Sequence, residues 1–138
     1  MIDSHTHRYP PHVYSNPGKF AQKHGESHWL ELVEPCKGSK LQGWASREKM
    51  ITDMDAASIS QAVLLGWYWE NPETCIQHND WRAQWIKEDP GRFYAFASIH
   101  PSAPEPVEEL KKRVNQGCVG IGECHPGVQG FTMKSTSW

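Results

Sequence analysis

A chain of 138 residues, 38% hydrophobic and 22% charged, is sized for one domain burying roughly two-thirds of its unfolded surface. A formal charge of −2 with no basic run gives no electrostatic reason to expect a nucleic-acid partner. No apolar run approaches the roughly 18 residues of a membrane span. Met1-Ile2-Asp3 is also unlike a signal peptide or Arg-rich presequence, so a cytoplasmic protein without a membrane partner is expected.

The first seven residues read as a strand. Alternation of side chains puts Asp3, His5 and His7 on one face, where two imidazoles can converge on a metal ion. Asp3 could then accept a supporting hydrogen bond from beneath them. Incidental histidines are the competing explanation, since the chain holds eight.

Residues 8–43 read as a long irregular stretch, punctuated by prolines 10, 11, 17 and 35 and glycines 18, 25, 38 and 43. Loops of that length are often lids or binding loops. His12, His24 and His28 are expected to be solvated there, with a short helix near 28–33.

Ser46 is a candidate N-cap with Glu48 in the first turn, and Met50, Ile51, Met54 and Ala57 recur at helical spacing through 47–58. The apolar run 62–66 predicts a strand buried on both faces, ending in the Trp67-Tyr68-Trp69 loop. Asn71 and Pro72 open a helix predicted to run to residue 88. A third strand over 93–99 ends at His100-Pro101. The helix that follows carries Val107, Leu110 and Val114 along one face, with Gly117 as its C′ residue. The fourth strand, 118–123, leads into Cys124-His125-Pro126-Gly127.

Apolar strands separated by amphipathic helices argue for an α/β fold with a parallel sheet and right-handed crossovers. His5 and His7, Trp67 and Trp69, His100, and Glu123 with His125 all fall at or just beyond strand C-termini. Open α/β sheets and β/α barrels place their sites at that edge. Arg8-Tyr9-Pro10-Pro11 is unlike the glycine-rich phosphate turn of a dinucleotide fold. The cysteines 36, 75, 118 and 124 lack a Cys-x2-Cys pair, so reduced thiols are expected rather than a zinc knuckle. The seven tryptophans are expected to fill the core, with one or two free to line a substrate.

Ile2-Asp3-Ser4-His5-Thr6-His7 resembles the opening strand of the amidohydrolase superfamily, metal-dependent hydrolases built on a TIM-type β/α barrel. Ser98-Ile99-His100-Pro101 is similar to the His-Pro of TatD-like members. Val119-Gly120-Ile121-Gly122-Glu123 is similar to the strand that carries a metal-bridging glutamate. The Pro-rich stretch, Asn79-Asp80 and Glu123-Cys124-His125-Pro126 resemble the amidohydrolase-related (amidohydrolase-2) branch, which also contains decarboxylases and hydratases.

The resemblance implies that His5, His7 and Glu123 ligate one or two divalent ions. Zinc is the first expectation, with manganese, magnesium or iron as alternatives. Asp3, His100 and His125 would support the ligands or touch a small-molecule substrate. The chemistry implied is attack by metal-activated water on an amide, ester or related bond. About 250 residues and eight strands make a whole barrel, whereas this chain offers about four strands, an incomplete half-barrel. The later-strand histidines and the aspartate general base have no counterpart in it, so no catalytic base is identified. Residues 1–138 are accordingly expected to form the N-terminal half of such a barrel. That half would be inactive alone and would self-associate or pair with a C-terminal half; a metal-dependent decarboxylase or hydratase of the same branch and a non-catalytic half-barrel are the alternatives.

Overall fold

The structure, a computed structural model, describes residues 1–34 and 43–132. Its elements in chain order are β1 (Ile2–Thr6), α1 (Pro11–Tyr14), α2 (Pro17–His24), α3 (Ser27–Val33) and α4 (Arg47–Ala56). Then come β2 (Gln61–Leu64), α5 (Pro72–Glu88), β3 (Phe93–Ala97), α6 (Pro106–Asn115), β4 (Cys118–Ile121) and α7 (Pro126–Gln129). The four strands form one parallel sheet in the order β1-β2-β3-β4. This is the α/β arrangement that the alternation of strands and helices predicts. Among the described residues no helix is long and apolar enough to cross a membrane.

One face of the sheet carries the helices. Ala62 and Leu64 of β2 pack with Met54, Trp85 and Phe93, and Ala95, Ala97 and Cys118 pack with Ile86 and Leu110. Small residues on β3 let the helix layer sit close to the strand. Val63, on the other face of β2, is only half-buried, so this strand is less enclosed than its apolar run predicts.

The stretch 8–43 departs most from expectation. Instead of an irregular loop its described residues form three helices, of which the sequence predicts only α3, near 28–33. Asn16 Oδ1 accepts the Lys19 amide at 3.0 Å, Pro17 occupies the first turn, and Gly25 ends α2 with φ 71°. Phe20, Trp29 and Val33 then pack with Tyr9, Val13 and Trp69 into an aromatic core beside the sheet. Trp29 Nε1 donates to Tyr9 Oη at 3.2 Å, and Trp69 Nε1 donates to His78 Nδ1 at 2.8 Å. Both indoles are therefore satisfied core residues. Pro35, Cys36 and Gly38 lie outside the described residues, as do 133–138.

Smaller departures have local causes. Ser46 caps α4 as expected, its Oγ accepting the Lys49 amide at 3.2 Å. Asn71 holds the N-cap position of α5, but its side-chain amide donates to the His24 carbonyl at 2.9 Å instead of capping the helix. On α6 the chain buries Arg113 while Val107 and Val114 stay exposed, so the apolar stripe does not define the packed face. Arg113 is held there by Asp80 and Glu109, each at 2.5 Å.

Candidate metal centre

His5 lies on β1 and His7 one residue beyond its end, so the pleat turns both rings to the same side. Their Nε2 atoms stand 3.3 Å apart. Glu123 follows β4, at the far edge of the sheet. Gly122 turns the chain out of that strand at φ 138°, a region left to glycine. The Glu123 amide then donates to the Gly66 carbonyl at 3.1 Å, past the end of β2. This brings the Glu123 carboxylate to 3.8 Å from His5 Nε2 and 3.6 Å from His7 Nε2.

The three side chains thus offer two imidazole nitrogens and a carboxylate whose donor atoms lie within 4.8 Å of one another. Ligands about 2.0–2.1 Å from a tetrahedral ion are spaced about 3.3–3.4 Å apart. The nitrogen pair already has that spacing, and the two carboxylate oxygens stand slightly beyond it, Oε1 towards His5 and Oε2 towards His7. The donor set, two histidines and a carboxylate, suits zinc and its neighbours in the first transition row.

The surroundings favour the ligand form of His7. Burial pushes its imidazole down to about 4, with His5 and the Arg82 guanidinium adding to the effect and the Leu65 carbonyl acting against it. At neutral pH the ring is uncharged and keeps a lone pair. Trp67 packs edge-on against it at 5.1 Å between ring centroids.

The other expected site residues are placed differently. Asp3 Oδ1 accepts the backbone amide of His5 at 3.0 Å, so it steadies the strand carrying that ligand through the main chain. His100 is buried, with Nδ1 accepting the Ser102 amide at 3.2 Å, and lines a cavity of about 350 Å³ between α5 and α6. His125 starts α7, its Nδ1 accepting the Val128 amide at 3.2 Å. Its ring lies 5.1 Å from Tyr68 and 5.9 Å from His28, beside the centre. Tyr68 stacks on Trp67 at 4.5 Å, and burial with the nearby Glu123 carboxylate pushes its phenol up. Cys75 and Cys118 are buried and Cys124 is exposed, all three as free thiols.

Gly66 and Ser98 were not singled out by their residue types, yet both shape the centre. A Cβ on Gly66 would stand 2.1 Å from the Gly122 carbonyl oxygen and 2.8 Å from Ser98 Oγ. Only glycine lets the Glu123 segment come this close. A glycine closing an apolar run was the available signal.

No family model and no curated protein matches the chain. Solved structures do. The chain is similar to an amidohydrolase II with a TM-score of 0.59 and 19% identity, over 87% of this chain and 39% of that one. It is also similar to a 2,6-dihydroxybenzoate decarboxylase in complex with 2,6-dihydroxybenzoate, with a TM-score of 0.55 and 23% identity, over 87% of this chain and 37% of that one. The chain therefore spans under two-fifths of the length of each, and what it shares with them is the fold.

Proposed function

We propose that this chain carries the metal-binding part of a metal-dependent hydrolase of the amidohydrolase superfamily. The observation that carries the reading is the convergence of His5, His7 and Glu123 from opposite edges of one parallel sheet. Its location at the strand C-termini and the likeness to an amidohydrolase II support it.

A divalent ion held by these three side chains, zinc in the first instance, would supply Lewis acidity and acidify a coordinated water. His5 and His7 would contribute neutral nitrogens, and Glu123 a charge that offsets the ion. Asp3 would keep His5 in register, while Trp67 and Tyr68 would shield one side of the centre from water. Within this reading, the proton acceptor and further ligands come from β/α units outside residues 1–138. Full turnover accordingly belongs to the completed barrel.

A second reading, a metal-dependent decarboxylase, is favoured by the likeness to the 2,6-dihydroxybenzoate enzyme. The test is to add a C-terminal half of a similar barrel to the zinc-loaded chain. The mixture is then offered p-nitrophenyl acetate and 2,6-dihydroxybenzoate. Ester cleavage that is lost in the His5→Ala/His7→Ala variant supports hydrolysis. Carbon dioxide release supports the second reading. A folded, zinc-loaded complex that does neither contradicts both.

A further inference from the structure

Arg82, on α5, is fully buried. The other fully buried arginine, Arg113, faces the carboxylates of Asp80 and Glu109. Arg82 has only neutral hydrogen-bond partners among the described residues. Nη1 donates to the Leu65 carbonyl at 3.0 Å, and Nη2 donates to Ser98 Oγ at 2.8 Å and Asn79 Oδ1 at 3.1 Å. A buried cation without a counter-charge is costly unless its hydrogen bonds matter to something else.

Leu65 and Ser98 lie just past the C-termini of β2 and β3, where regular pairing ends, and Asn79 lies three residues before Arg82 on α5. Ser98 Oγ also accepts the Trp67 amide at 2.8 Å and donates to the Trp67 carbonyl at 2.9 Å, which fills the capacity of the hydroxyl. Asn79 completes the knot: Oδ1 accepts the Ser98 amide at 2.8 Å and Nδ2 donates to the Ser98 carbonyl at 2.8 Å. Segment 65–67 is thereby tied to β3 and to α5. The same segment presents Trp67 to the His7 ring and the Gly66 carbonyl to the Glu123 amide.

We propose that Arg82 is a positioning residue for the metal centre. By fixing segment 65–67 from beneath, its guanidinium holds His7 and Glu123 in their converging arrangement. This rests on the metal-centre reading above. It adds a determinant that touches neither ligand, on a helix behind the sheet.

The test uses the whole chain and compares Arg82→Met, Arg82→Lys and Ser98→Ala with the wild type. Two quantities are read: zinc affinity by chelator competition, and exchange of the Glu123 amide hydrogen in metal-free protein. Groups hydrogen-bonded directly to a ligand typically carry about 10–100-fold in metal affinity, and Arg82 stands one contact further out. Arg82→Met is expected to lose up to about tenfold, with faster Glu123 exchange, and Arg82→Lys to recover part of both. Ser98→Ala keeps the cation and removes one acceptor, so it serves if Arg82→Met does not fold; a smaller shift in the same direction is expected. Wild-type affinity and unchanged exchange in folded variants would overturn the proposal. Faster exchange in the variants of a chain that binds no zinc would uphold the positioning role while overturning the metal-centre reading.

Discussion

Glu123 and His7 leave strands at opposite edges of the sheet, yet a carboxylate oxygen of one stands 3.6 Å from Nε2 of the other. The segments that follow the two edge strands therefore meet above the C-terminal edge of the sheet. The link runs through the Gly66 carbonyl, which accepts the Glu123 amide at 3.1 Å.

Gly66→Ala is the sharpest test of that link. The added methyl carbon would meet backbone at 2.1 Å, so the 122–123 segment must move. Overpacking of this kind costs about 1–3 kcal/mol. Chemical denaturation should show that loss. Zinc binding should also weaken at temperatures where the variant remains folded. A variant with wild-type stability and affinity would show that the close approach is not needed.

Acid should destabilise the metal-free protein. His78 is fully buried, with Nδ1 accepting from Trp69 Nε1, and burial holds its imidazole well below 6.5. His7 is held at about 4. Both are neutral when folded and take up a proton below 6.5 when unfolded. Their penalty is thus absent above that pH and grows as pH falls, by about 1.4 kcal/mol per group per pH unit until the folded value is reached. Burial pushes the Glu26 carboxyl up, so Glu26 works in the opposite direction nearer its own range, one group against two. Denaturation midpoints between pH 7.5 and 5 should fall with pH. A flat profile would contradict the buried neutral state of these rings.

Glu26 has a second role, joining helices α2 and α3 to the segment that opens α5. Its carboxylate, fully buried, accepts the amides of Glu70 at 2.7 Å and Asn71 at 3.2 Å. Glu26→Ala leaves two donors without partners, a cost of about 1–3 kcal/mol each at a buried position. The expected outcome is a lower denaturation midpoint together with increased protease cleavage within residues 11–33. Cleavage as slow as in the wild type would contradict this anchoring role.

How far the sequence leads depends on how local each cause is. Alternating strands and helices, the Ser46 cap and the Gly117 turn are set by neighbouring residues, and all appear where expected. The α2 helix is hidden in the sequence because Pro17 and Gly18 punctuate an apparently irregular stretch, although Asn16-Pro17 opens it just as Asn71-Pro72 opens α5. His5, His7 and Glu123 could be named from their types and strand-end positions. Their support could not, because Arg82, Ser98 and Gly66 act through contacts between segments distant in sequence. The exposure of Val107 and Val114 has the same origin: Arg113 pairs with Asp80 of α5 and Glu109 bonds Asn79 of α5, so α6 turns its polar residues to that helix.

The central claim is a metal centre shared by the two edge strands, and zinc titration of the wild type, His5→Ala and Glu123→Ala tests it directly. One saturable site is expected in the wild type, with each single substitution weakening it by at least about tenfold. Cobalt substituted for zinc should give the intense visible absorption of a four-coordinate ion. A wild-type chain that fails to bind, or a Glu123→Ala variant that binds as tightly as the wild type, would contradict the claim.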